Sequence, residues 1–204
     1  MSDLARLILR LTVGTLVAGH GSQKLFGWFQ GPGLKGTHGF MESLGMRPGQ
    51  VWGTVAALGE FFGGTLTALG FLNPLGPMNI AAAMTVAIRR AHWNKPIWAM
   101  QGGGVRPLTS LAVAAALALS GPGRYSLDRA FGIRVPRPVA TLMWVWTTAV
   151  TVAALRRPEV AQRVLEKATS VVPGTLQPTT APDLEVETRP AAQDVEQPVS
   201  QARA

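Results

Sequence analysis

The residue that most needs a chemical explanation is Glu60. It stands alone in the apolar run Val51–Leu72, and a carboxylate at that depth in a bilayer is expensive unless it is protonated or paired. An earlier apolar run, Leu4–Phe26, carries His20 and Lys24 near its end. If the two runs cross a membrane in opposite senses, these residues reach a depth close to that of Glu60. His20 and Lys24 are four residues apart and share a helical face. A third run begins at Met78 and ends at Arg89-Arg90, so it delivers Arg89, Arg90 and His92 to the same side. Glu60, His20, Lys24, Arg89 and His92 are therefore expected to converge on one half of a bundle. Such a cluster has two functional readings. It could be a polar cavity binding an anionic or quinone-like head group, or a relay passing a proton between Glu60 and His20. The plainer alternative is an ion pair that locks three helices together. Headgroup snorkelling competes for Lys24, Arg89 and Arg90. Arg10 lies toward the opposite end, in a structural or second cluster with three readings: it snorkels, it meets a carbonyl, or it meets Asp128.

Other chemistries are poorly represented. The three histidines, His20, His38 and His92, show no H-x-x-x-H or E-x-x-H pairing, so no metal site is expected. Cysteine is absent, which excludes disulfides, thiolate catalysis, Cys-held Fe–S clusters and covalent haem. A bis-His haem between His20 and His92 has no supporting signature. Gly102-Gly103-Gly104 lacks the strand and the G-K-[ST] of a phosphate loop. The cofactor is left open, with a quinone among the candidates, and no nucleophile, metal set or nucleotide motif names a reaction.

The elements that must position these residues are apolar helices. Before Leu155 the only acidic residues are Asp3, Glu42, Glu60 and Asp128, and the other seven of eleven lie in Glu159–Glu196. A soluble body of this size needs more surface carboxylate. The net charge of +8 comes from residues at the ends of apolar runs, which suits lipid headgroups rather than nucleic acid. The sequence predicts an all-α integral membrane bundle with five spans: Leu4–Phe26, Val51–Leu72, a short third starting at Met78, Arg106–Ser120 and Val139–Leu155. Met1–Gly19 reads as a retained span and not a signal peptide, because Arg10 interrupts it and no A-x-A-like site follows. Thr37 is expected to cap a short interfacial helix, His38–Leu44, and Asn73–Pro77 to form a tight turn. Glycines 14, 19, 59, 63, 64 and 70 are expected to allow close helix packing. Pro158–Ala168 suggests an amphipathic helix, and Thr169–Ala204 a disordered acidic tail. The chain thus divides at 1–135, 136–157 and 158–204. Lys and Arg are in excess on the side where the tail emerges, giving an outside N-terminus and a cytoplasmic tail in a multi-pass plasma (inner) membrane protein.

The same residues carry a family resemblance. Leu9-Arg10-Leu11 with Gly14, then His20-Gly21-x-x-Lys24-Leu25-Phe26-Gly27, resembles the first helix of the DoxX family. Glu60-x-x-Gly63-Gly64 with Leu69-Gly70 is similar to its second helix, and Met84-x-Val86-Ala87-Ile88 with His92 to its third. Gly121–Asp128 resembles its closing segment, so the likeness covers roughly Leu4–Gly132. It implies four family-like membrane helices, with the fifth span and tail as additions. It also implies an accessory role beside a membrane redox system, with a redox-enzyme partner on the cytoplasmic face; relatives include a subunit of a thiosulfate:quinone oxidoreductase. The alternatives are a quinone- or lipid-binding enzyme using a Glu60/His20 cavity, and a small transporter. Membrane lipid and a further copy of the chain are the other expected partners. Arg106-Pro107 stands where the family often has an acidic residue, so a site needing that carboxylate would be impaired.

Overall fold

In the computed structural model, residues 1–156, 158–159, 163–164 and 166–167 are described, and no strand occurs among them. The helices are α1 (Asp3–Phe26), α2 (Gly33–Ser43), α3 (Gly49–Leu69), α4 (Leu75–Ala87), α5 (Val105–Ser120), the single turn α6 (Leu127–Ala130) and α7 (Arg137–Arg156). A π-helical turn, Ile88–His92, extends α4.

Local sequence sets the ends of these helices. Ser2 Oγ accepts from the Ala5 amide at 3.2 Å and caps α1. At the other end Gly27 takes φ +72°, open to glycine without strain. Helix α3 stops at Gly70 (φ +62°) with the paired bonds Phe71 N–H to Leu66 O and Gly70 N–H to Thr67 O, a Schellman ending.

Helices α1 and α3 run antiparallel and very close. A Cβ on Gly14 would stand 2.8 Å from the Gly64 carbonyl oxygen, and one on Gly64 would stand 2.6 Å from that of Gly14. Further along α1, Gly21 faces the backbone of Phe61. Helix α4 returns along α3 through Gly63 and Gly76, where a Cβ on Gly76 would lie 2.6 Å from the Thr67 amide nitrogen. Backbones that meet this closely associate by packing alone, which is how helices hold together in lipid. Gly19 and Gly59 were expected to act likewise, yet open space surrounds both.

Two apolar clusters complete the bundle. Val13 and Val17 of α1 meet Ile80 and Met84 of α4 and Ala114 of α5. Met41, Met46 and Trp52 receive Ala154, with Val150 and Ala153 packed alongside, and so dock the end of α7.

Several expectations need correction. Helix α2 begins at Gly33 and not at His38, and Thr37 is no cap. Its hydroxyl bonds back to Gly33 O at 2.8 Å and reaches Lys24 O at 3.3 Å, the i−4 option open to a mid-helix threonine. The tight turn expected through Pro77 ends earlier, because α4 already starts at Leu75. Pro77 falls in its first turn, where no donor is missed. The connection between the fourth and fifth expected spans contains α6. Five spans were expected; among the described residues α7 alone combines the length and apolar character of a helix that crosses a membrane by itself, and α5 is apolar but shorter. Helices α1 and α3 are long enough, yet Arg6, Arg10, Lys24, Glu60 and the glycines dilute their apolar content. Much of that polar and small material faces neighbouring helices. Most of Pro158–Ala168 and all of Thr169–Ala204 lie outside the described residues.

Candidate functional site: a cavity between helices α2, α3, α4 and α7

A cavity of about 460 Å³ lies between α2, α3, α4 and α7, with Lys24 of α1 at its edge. Its size falls within the roughly 300–1,000 Å³ usual for small-ligand sites. The walls are largely apolar: Met41 from α2, Trp52 and Ala56 from α3, Val86 from α4 and Val150 from α7. Gly59 also lines it, and that missing side chain leaves room for the cavity.

Glu60 is only 4% exposed. Its Oε1 accepts from Lys24 Nζ, an ion pair that joins α3 to α1. Oε2 is sealed from solvent and has no partner. The pairing follows from helix register: once Gly14 meets Gly64 and Gly21 meets Phe61, Lys24 must arrive beside Glu60. Lys24 keeps about a quarter of its side chain exposed, so its ammonium can serve both the carboxylate and an occupant of the cavity.

The other expected members divide. His92 lines the cavity, with Nδ1 2.8 Å from the Gly102 carbonyl oxygen. His20 does not reach Glu60. Its ring is exposed, with Nδ1 3.1 Å from Gln23 Oε1. Each residue turns an α-helix by about 100°, and Gly21, one position on, is the residue that faces α3. The expected Glu60/His20 pair is therefore not formed. Arg89 also points away, with its guanidinium 5.1 Å from the Trp93 ring centroid. The next residue, Arg90, faces inward. Its Nε and Nη2 donate to Ala154 O at 3.2 and 2.8 Å, and Nη2 also donates to Leu155 O at 3.0 Å. A cation thereby satisfies the free carbonyls at the C-terminal end of α7. Lys95 lines the cavity as well. Sequence reasoning missed Arg90 and Lys95. The available signal was the Arg89-Arg90 doublet, since only one of two successive helical residues can face a neighbour.

All of these groups except the α7 wall and Lys95 lie within a stretch that matches a known family model, DoxX, over residues 5–93. Residues 5–93 form a DoxX domain. DoxX is a membrane family, and the match spans residues 5–93. No curated protein and no solved structure matches the chain. The match ends at Trp93, so the Gly121–Asp128 likeness lies outside it.

A second buried polar cluster ties the DoxX domain to the α5–α6 region. Arg10 is 2% exposed, and its Nη2 donates to Tyr125 O at 2.6 Å. Asp128, also buried, accepts from the Leu72 and Asn73 amides at 2.8 Å each, while its own amide donates to Gly70 O at 3.1 Å. Arg10 and Asp128 thus lie in one cluster, with Arg10 on a carbonyl and no direct ion pair between the two. The Arg10 guanidinium occupies the space where a Cβ on Gly70 would stand. Leu72 takes φ +52°, a region a residue with a Cβ enters only when its surroundings hold it there, and the Asp128 carboxylate supplies that hold.

Proposed function

We propose that this DoxX-family protein crosses the plasma membrane several times, N-terminus outside, and holds an amphiphilic ligand, a lipid or a quinone, in the cavity walled by Glu60. One observation carries the reading: an apolar cavity of ligand size has a buried ion pair, Lys24–Glu60, set into its wall. An ion pair serving structure alone gains nothing from bordering a cavity, whereas a site that must orient a polar head needs both apolar walls and a few fixed polar groups. Lys24 can donate to a quinone carbonyl or to a lipid head group, and Trp52 and Val86 suit a ring or a chain. Helices α1 and α3–α5 then cross the bilayer as a packed group, with Arg10, Lys24 and Glu60 turned toward neighbouring helices. The accessory role beside a redox partner rests on the DoxX resemblance.

The cavity reading is tested by what the protein carries out of the membrane. Protein extracted gently is stripped with organic solvent, and the extract is compared with that of Gly59→Leu, whose new side chain enters the cavity without striking the backbone. A lipid or quinone enriched in the native extract and missing from the variant supports the site. Identical extracts reject it.

A further inference from the structure

The charges around this cavity do not balance. Lys24, Arg90 and Lys95 line it, and among the described residues Glu60 is the single carboxylate that does. Of the two Glu60 oxygens, Oε1 is taken by Lys24 and Oε2 is closed to solvent. Arg90 is committed to the end of α7 but still contributes its charge. No second carboxylate among the described residues offsets Lys95 or Arg90, so an occupant meets a net positive charge, and the charged groups open to it donate hydrogen bonds. Apolar walls strengthen that field, because charges act further in a medium of low dielectric constant.

We infer that the occupant is an anionic amphiphile: an alkyl chain against Met46, Trp52 and Val86, and a carboxylate or phosphate head held by Lys24 and Lys95. This rests on the reading of the cavity as a ligand site and narrows it. A neutral head such as a quinone accepts one hydrogen bond from Lys24 and leaves the positive charge uncompensated. An anionic head does both. Basic pockets between helices of membrane proteins take anionic head groups for the same reason.

The experiment uses the full chain in discs of neutral phosphatidylcholine at alkaline pH. Tryptophan emission is followed as dibromostearate or its methyl ester is added, since Trp52 and Trp146 line the cavity and bromine quenches on contact. The acid should quench at a concentration at least roughly tenfold lower than the ester, the difference expected for a charge-assisted hydrogen bond. Lys95→Gln, at an exposed position, should weaken the acid several-fold and leave the ester unchanged. Gly59→Leu should remove both. Hexadecyl phosphate and palmitate then compete against the acid; displacement by either supports an anionic head, and the stronger competitor names it. Equal quenching by acid and ester, both lost in Gly59→Leu, overturns the anionic head and keeps the cavity as a site. So does an unaltered response to the acid in Lys95→Gln. If native protein and Gly59→Leu behave alike, the cavity reading itself falls.

Discussion

Replacing Lys24 with Met leaves the Glu60 carboxylate buried with neither oxygen paired. In a fully buried pair, loss of one partner costs roughly 3–5 kcal/mol, because the remaining charge stays desolvated. Glu60 is the more deeply buried partner, with 6% of its side chain exposed against 24% for Lys24. The two single changes are therefore unequal. Lys24→Met strands the buried charge and should cost about 3 kcal/mol. Glu60→Gln strands an ammonium that can still reach water and should cost about 1 kcal/mol. For a chain of this length about 3 kcal/mol corresponds to a melting temperature lower by about 6–12 °C. Thermal unfolding in one mild detergent, followed by tryptophan emission, reads all four members of the cycle. The double variant should recover most of the loss seen in Lys24→Met, since it removes the stranded charge. The reasoning is refuted if Lys24→Met melts within a degree or two of the native protein, or if adding Glu60→Gln to it restores nothing.

The packing sets three further expectations. Asp128→Ala removes the acceptor for two amides and should destabilise by about 3 kcal/mol, while Asp128→Asn, which keeps one carbonyl acceptor, should lose less; melting curves separate them. Gly64→Val drives a side chain into the α1 backbone and should cost at least about 3 kcal/mol, whereas Gly19→Ala, in open space, should be near neutral. Arg90→Ala frees the last carbonyls of α7, so hydrogen exchange in its final turn should quicken while that of α1 and α3 stays unchanged.

The sequence made the α1–α3 half of the site legible because depth can be counted along an antiparallel pair. That counting brought Lys24 close to the depth of Glu60. It could not resolve rotation about the helix axis, and one residue is enough to carry His20 away from Glu60 and exchange Arg89 for Arg90. The α7 wall was beyond the sequence altogether. Its docking depends on Arg90 meeting carbonyls 64 and 65 residues away and on Trp52 Nε1 donating to Pro158 O at 2.8 Å, and no local pattern announces such partners. Helix α2 was misread for a local reason, since a threonine ahead of an apolar stretch resembles a cap until its hydroxyl turns back on the preceding turn.

The glycine contact between α1 and α3 fixes more than a distance. It works as a key in a slot, with Gly14 and Gly64 notched into each other's backbone, Lys24 clamped to Glu60 at one end and Arg10 wedged over Gly70 at the other. A slip of one residue would drive Val13 or Thr15 into the α3 backbone, so the pair behaves as a single stiff strut. Helix α7 has no such notch. It leans on the strut's neighbours and is fastened at its C-terminal end. The two sides of the cavity are therefore built differently, one from interlocked backbones and the other from side-chain contacts gathered at one helix end.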